Sequence, residues 1–389
     1  RYFKYISKGD DSMISIKRLP YLQMPQKDGI TVMWETDIAS GSEVEVYLSK
    51  RLHTDCVRDK MIGRFLGDEG ITHKVKITGL AASTNYYYRV ISRIDDQVVE
   101  SDYYQFKTSC NKEVPFSFCI TSETGGYGGF NETNYNYQIF DQIRMLRPDF
   151  LFFVGDMASD GLDRSSWDTY LFDPGSKLMT NTPFYMCQGN HEENTPLIAE
   201  LFDFPPPHNY FAFDYGDAIF IVLDSTTMFQ YEEKDGMWDA VPTDDFLDEG
   251  EQIKFLVSQL EQTKARWKFV FFHYPPYVSG FYEVPLLRKL SSIFEKYNVD
   301  LVFNSHTIVY ERSHPLRDGK ISINDGVTYI VAGGAGAMPE WFLHKQEWHT
   351  ARSMAVPHFL QVIVSPERIE VLAINSSGHL FDQLIICKQ

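Results

Sequence analysis

The sequence has no long hydrophobic run. Its apolar stretches are of strand length, and none approaches the ~20 residues that a membrane-spanning helix requires, so no membrane span is expected. Cysteine is scarce: five residues, at positions 56, 110, 119, 187 and 387, form no close-spaced framework. That excludes a disulfide-dense scaffold and leaves the redox compartment open. Cys119 and Cys187 lie inside apolar runs and read as small core residues. Positive charge is also short, since 36 Lys and Arg against 53 Asp and Glu leave a net charge of -17. A surface of that sign disfavours an anionic polymer gripped through its phosphates, so no nucleic-acid partner is expected. Part of the acidity is local: residues 232–235 and 244–249 read as a solvated surface loop. There is no internal repeat and no low-complexity tract. The sequence begins at Arg1, no signal peptide is read within it, and residues 1–13 read as a loose tail.

What is present is length and apolar content. The 389 residues are enough for two domains, and 43% hydrophobic residues supply a sizeable core. From Ser15 the texture is all-β. Gly29-Ile-Thr-Val-Met-Trp-Glu35, Ser42-Glu-Val-Glu-Val-Tyr47 and His73-Lys-Val-Lys-Ile-Thr78 alternate with period two. Residues 85–91 and 103–108 add strands, which together suggest a sandwich over 14–109. Residues 109–115 read as a linker. Beyond it, over 114–389, the strands become continuous apolar runs, the sign of burial on both faces. Helical periods intervene at 135–147 and 249–264, where Ile139, Ile143 and Leu146, and Ile253, Leu256 and Leu260, share core faces. Residues 210–214 and 218–223 read as a hairpin, and later strands are expected at 327–332, 358–364, 368–374 and 379–384.

Five of the apolar runs end in the same way. Asp149-Phe-Leu-Phe-Phe-Val-Gly155 delivers Asp156, and Phe184-Tyr-Met-Cys187 leads through Gly189 to Asn190, His191 and Glu192. Trp267-Lys-Phe-Val-Phe-Phe272 delivers His273; Val299-Asp-Leu-Val-Phe303 delivers Asn304, Ser305 and His306; and Phe116-Ser-Phe-Cys-Ile120 leads to Glu123. One such histidine is ordinarily a satisfied surface or core residue. Asp, Asn, His and His presented beyond strand ends by one device are the expected signature of a shared metal site.

The spaced motifs Gly155-Asp156, Gly189-Asn-His-Glu192, His273-Tyr-Pro-Pro-Tyr277 and Ser305-His306, followed by Val309-Tyr-Glu-Arg-Ser313, resemble those of the calcineurin-like metallophosphoesterases. Ile77-Thr-Gly-Leu80, the tyrosines at 86–88 and Trp34 resemble a fibronectin type III domain. Together they point to the purple acid phosphatases, whose β domain precedes the catalytic one. The resemblance implies an α/β fold: a four-layer sandwich, two mixed sheets flanked by helices, preceded by the all-β unit. It implies two metals bridged by Asp156, with Asn190, His273 and His306 completing one pocket. His191 falls where the leaving group is protonated or the phosphate contacted, with Glu192 expected to orient it. The other pocket departs from the pattern. Its opening Asp is Glu123, the purple enzymes' tyrosine is Ser159, and the last histidine is Ile308, whose alkyl chain offers no lone pair.

The expectation is therefore metal-dependent hydrolysis of a small phosphate ester, with one Zn, Mn or Fe ion firmly held and a second, on Asp156 and Glu123, doubtful. The alternative is a pseudo-phosphoesterase that keeps the fold as a binding module. Tyr127 and His208 stand as possible substitutes in the altered pocket. Gly125-Gly-Tyr-Gly-Gly129 and Gly333-Gly-Ala-Gly336 read as loops near it, and Trp341, His344, Trp348 and His349 as a loop that walls the substrate site or merely packs at the surface. Sequons begin at Asn131 and Asn375. A secreted or periplasmic location follows from the resemblance alone.

Overall fold

The structure, a computed structural model, describes residues 13–48, 60–125, 135–234, 237–343 and 345–388. Two sheets lie face to face, and the side-chain alternation of their strands explains why. In strand Ala218–Val222, Phe220 and Val222 join one core while Ile219 and Ile221 join another. Trp267–Phe271 divides likewise, with Phe269 and Phe271 on one side and Val270 on the other. Successive side chains of a strand point to opposite faces, so a strand apolar throughout must be covered twice.

The first sheet runs Leu380–Cys387, Arg368–Asn375, His358–Val364, Phe116–Thr121, Phe150–Phe153, Phe184–Met186 and then passes into the N-terminal unit. The second runs Phe211–Tyr215, Ala218–Val222, Trp267–Phe271, Leu301–Asn304, Thr328–Ala332, Tyr310–Ser313, Thr350–Met354. Between them sits a block of stacked rings. Phe220 lies 4.8 Å from Phe213, 5.0 Å from Phe269, 5.2 Å from Phe118 and 5.3 Å from Phe150, centroid to centroid. Helix Tyr135–Leu146 buries Ile139, Phe140 and Ile143 against the first sheet. Helices Glu251–Gln262 and Lys289–Lys296 bury Ile253, Leu256, Leu260, Leu290 and Phe294 on the second. The four-layer arrangement is as expected. Helix Lys289–Lys296 was not read from the sequence, because eight residues carry too little period to stand out.

Two sequence readings need correcting. Residues 29–35 and 42–47 are not separate strands but parts of one, Ile30–Tyr47. Its pairing with Met61–Ile77 slips in register between Glu35 and Ser42, so the polar interruption is a bulge rather than a turn. The acidic stretch at 232–235 is not simply loop, since Phe229–Lys234 and Met237–Pro242 form a hairpin. The charged residues Glu232, Glu233 and Lys234 disguise it in the sequence.

The N-terminal unit has its own core around Trp34, Val44, Tyr88 and Phe106, and it is fastened to the rest. Gln23 pairs with Phe184 as a parallel neighbour. Arg18 sits between Glu35 at 2.6 Å and Asp168 at 2.5 Å, its guanidinium 3.9 Å above the Phe172 ring. The Tyr21 and Tyr88 hydroxyls donate to the carbonyls of Leu201 and Thr180 at 2.8 and 2.7 Å.

In the catalytic-type sheets, parallel pairing sends strands Phe116–Thr121, Phe150–Phe153 and Phe184–Met186 in one direction, and Ala218–Val222, Trp267–Phe271 and Leu301–Asn304 likewise share one. Their carboxyl ends bring the polar residues together. Removing the ring at the centre of the stack tests what holds the sheets: Phe220→Ala is expected to lower unfolding free energy by about 3–5 kcal/mol, and Phe220→Leu by less, in urea titrations.

Candidate metal centre

Asp156, His273 and His306 each offer a ligand atom, and these atoms all lie within 4.8 Å of one another. They arrive from different elements: Asp156 follows strand Phe150–Phe153, His273 follows Trp267–Phe271, and His306 follows Leu301–Asn304. Asn190, at the start of a short 3-10 turn after strand Phe184–Met186, brings its Oδ1 to 3.1 Å from His273 Nε2.

Close approach of the backbone makes this possible. A Cβ on Gly155 would lie 2.6 Å from His273 Nδ1, and one on Gly189 would lie 2.2 Å from Asp156 Oδ1. Gly155 also has a positive φ of 89°, which a side chain would strain. Asp156, His306 and Glu123 adopt φ of 56°, 67° and 62°. Non-glycine residues in the left-handed region are uncommon and cluster at functional sites.

The hydrogen bonds around His273 define its chemistry. Nδ1–H donates to the Val154 carbonyl at 2.8 Å. That fixes the tautomer and leaves a lone pair on Nε2, as in histidines that ligate metals. Yet Nε2 faces only acceptors, Asn190 Oδ1 at 3.1 Å and Asp156 Oδ2 at 3.2 Å. Three lone-pair atoms converge on one buried point, and a cation there would satisfy them together. With no ion, a proton takes that part. Burial works against charge on His273, but the Asp156 carboxylate overcomes it and raises the ring's pKa to about 10. Asp156 is held well below the usual carboxylate range: burial opposes this, and His273 outweighs burial. His306 is pushed down to about 3, chiefly by burial and then by the charge on His273, so its ring is neutral and suited to a metal. The donors present thus fit a transition-metal ion.

Glu192 corrects an expectation. Its carboxylate does not orient His191. It is fully buried and accepts the N–H groups of Asp156 at 2.8 Å, Met157 at 2.7 Å, Ala158 at 3.3 Å and also Gly189. It thereby ties the loop of Asp156 to the loop of Asn190. Burial and the Asp156 charge raise its pKa to about 7 against the pull of those amides. His191 is held otherwise, with Nδ1 2.9 Å from the Ser159 carbonyl and its N–H donating to Asp156 Oδ1 at 2.9 Å.

Glu123, expected as a doubtful ligand, is engaged through one oxygen. It lies outside the group of three, and its Oε1 accepts from the Ser305 hydroxyl at 2.6 Å and the His306 N–H at 2.7 Å. It anchors the turn of His306. Burial, then the Asp156 charge, raise its pKa well above the usual value. Ser159 binds Ser166 through its N–H, Ile308 donates its N–H to Glu340 Oε2, and His208 Nδ1 is directed at the Phe204 carbonyl. Tyr127, most of the glycine loop 125–129 and the sequon at Asn131 fall outside the described residues, as does His344. Sequence reasoning missed Tyr274 and Tyr282, whose rings stand 4.5 and 5.2 Å from that of His306. Tyr274 lies inside the His273–Tyr277 motif, where the sequence assigns it no role, and Tyr282 lies outside the motifs.

The calcineurin-like phosphoesterase family profile matches residues 116–310, which include all of these ligand-bearing strand ends. The chain belongs to that family. The family is one of phosphoric ester hydrolases, and its purple acid phosphatase branch uses binuclear metal centres. A second profile, that of the purple acid phosphatase N-terminal domain, matches residues 19–108. Among curated relatives, purple acid phosphatase 21 of Arabidopsis thaliana is 24% identical over 81% of this chain and 70% of its own length. Purple acid phosphatase 18 of the same plant is 24% identical, over 71% and 63%. Probable inactive purple acid phosphatase 1, also from Arabidopsis thaliana, is 24% identical over 72% and 52%, so the chain spans only part of these relatives. Among solved structures, a purple acid phosphatase from yellow lupin seeds superposes with TM-score 0.79 at 18% identity, covering 95% of this chain and 74% of that one. A second, described as the anchor in the inner membrane complex of Plasmodium, gives 0.55 at 17% identity, over 71% and 89%. At these identities the superpositions establish the fold.

Two outcomes follow from the geometry. Metal uptake by the metal-free protein at pH 7 is expected to release about one proton, because an ion must displace the one on His273. Affinity should therefore rise with pH up to about 10, the value to which His273 is raised. Calorimetry in buffers of different ionisation heat reads the proton count. Glu192→Ala should strand buried amides at a cost of about 2–4 kcal/mol. It should also weaken metal binding by about tenfold to a hundredfold without touching the ion, and Glu192→Gln should recover only part of both, because its amide nitrogen would face two N–H donors that the carboxylate accepts.

Proposed function

We propose that the chain hydrolyses small phosphoric esters at a centre where Asp156, Asn190, His273 and His306 hold one transition-metal ion firmly. The observation that carries this reading is the meeting of acceptor atoms at His273 Nε2, an arrangement that a cation would satisfy. Nitrogen and oxygen donors of this kind suit Zn, Fe or Mn. When bound, the ion supplies Lewis acidity toward a phosphoryl oxygen and a nucleophile at neutral pH.

The protein's own residues have separate tasks in this reading. His191, with Nδ1 held by the Ser159 carbonyl, exchanges protons with the ester through Nε2. Glu192 keeps Asp156 and Asn190 in register and touches no substrate. The neighbouring position binds a second ion weakly or not at all, since Glu123 is engaged by Ser305 and His306 and Ile308 has no donor atom. Losing a second ion removes the clamp on entering and leaving oxygens, and each ~1.4 kcal/mol of lost stabilisation is tenfold in rate. In the same reading the chain divides into a β unit, 14–109, that braces a catalytic unit, 114–389. A secreted or periplasmic location belongs to the proposal and rests on family likeness.

A second reading, a non-catalytic binding module, is favoured by Ile308 and by the engagement of Glu123. It also draws on relatives named as probably inactive and on a fold neighbour described as an anchor. One experiment separates the two. Metal-supplemented protein should carry about one equivalent of ion and turn over an aryl phosphate, and His273→Ala should abolish both, by at least about a hundredfold in rate. Less than about half an equivalent with no turnover selects the binding module.

A further inference from the structure

Beside the ligand cluster lies a surface that the hydrolytic chemistry does not use. Residues 279–282 and 338–343 form two loops that carry Phe281, Tyr282, Met338 and Trp341, and these side chains are 47%, 55%, 58% and 83% exposed. Scattered exposed apolar residues are ordinary, but a contiguous group at a site marks binding.

The loops are firmly held. Gly280 pairs with Phe342 in an antiparallel bridge, and Leu343 N–H donates to the Ser279 carbonyl at 3.1 Å. Both are tied to the turn that bears His306. The Thr307 hydroxyl donates to the Phe281 carbonyl, Ile308 N–H donates to Glu340 Oε2 at 3.0 Å, and Glu340 N–H donates back to the Ile308 carbonyl at 3.0 Å. Underneath, Phe342 packs on Val278, Val309 and Val331. Deeper still, buried Glu311 accepts the Ser279 N–H at 2.8 Å and the Thr350 hydroxyl at 2.6 Å. Buried His349 stands between Glu311 at 3.8 Å and Glu283 at 3.5 Å. Buried charge of this kind is costly unless paired, and here its effect is to hold an exposed aromatic edge. Tyr282 is itself kept at a φ of 69°, with its ring edge-on to His306.

The chemistry of an occupant follows from what the loops contain. They have no lysine or arginine to meet a second phosphate or a carboxylate. Their one carboxylate, Glu340, is taken up by Ile308. What remains is mostly aromatic and apolar, on two bridged loops, with Tyr282 standing against His306 at the edge of the ligand cluster. We propose that this wall receives the leaving group, so that the preferred substrates are phosphoric monoesters of flat, neutral aromatic alcohols, with Tyr282 and Trp341 as specificity-determining residues. This rests on the hydrolytic reading of the centre. Rigid aromatic side chains lose little entropy on binding, which suits them to such a wall.

Steady-state kinetics of the metal-loaded protein on 1-naphthyl phosphate and glycerol 2-phosphate test it through KM, since kcat also reflects leaving-group reactivity. The naphthyl ester should show a KM lower by about tenfold, and Tyr282→Ala and Trp341→Ala should each shrink that ratio by about threefold to tenfold, with Tyr282→Phe restoring it. Equal KM values, or a ratio unmoved by both alanine variants, overturn the wall while leaving hydrolysis standing. Calorimetric binding of phenylphosphonate against methylphosphonate covers the case without turnover. A preference for the phenyl compound that both alanine variants weaken upholds the wall even if hydrolysis fails, and equal affinities overturn it.

Discussion

Around His273 Nε2 the protein gathers an amide oxygen and a carboxylate oxygen, and it uses the ring's other nitrogen to hold the Val154 carbonyl. Burying acceptors against one another is unfavourable unless positive charge lies between them. That single requirement organises much of the molecule. It explains why three residues near the centre sit in left-handed backbone conformations, and why Gly155 and Gly189 occupy positions that admit no Cβ. It also explains a buried glutamate whose carboxylate is used entirely on the backbone of the two adjoining loops.

The same constraint is met unequally on the two sides of the centre. Toward Asn190 and His273, the Asn190 Oδ1, Asp156 Oδ2 and His273 Nε2 atoms meet at one point. Toward Glu123 and Ile308, the groups are turned to other work. Glu123 anchors the Ser305–His306 turn, and Ile308 is strapped by its backbone to Glu340. The side that gives up polar ligands is the side bordered by the aromatic loops. An enzyme or a binding module built on this frame would thus be asymmetric, with an ionic half and an apolar half sharing His306.

Much of this was legible in the chain. Continuous apolar runs ending on Asp156, Asn190, His273 and His306 mark parallel strands with a polar end, because burial on both faces and a shared direction leave few other arrangements. The N-terminal β unit showed through its alternation. Other features were hidden for identifiable reasons. The hairpin at 229–242 is disguised by its charged stretch at 232–235, and helix Lys289–Lys296 is too short to display a period. The role of Glu192 was misread because its place next to His191 in the chain suggested a partnership. The 3-10 turn instead points the carboxylate inward to backbone amides.

The sequence by itself determined the layered architecture and which strand ends carry the candidate ligands, because these depend on the order and polarity of residues along local elements. Only the tertiary structure decided how each polar side chain is used: which nitrogen of His273 is left with a lone pair, that the Glu192 carboxylate binds loop amides and Glu123 Oε1 the His306 turn, and that Tyr282 borders His306. Those outcomes depend on contacts between residues far apart in the chain, and hydrogen-bond partners at such separations leave no pattern in the order of residues.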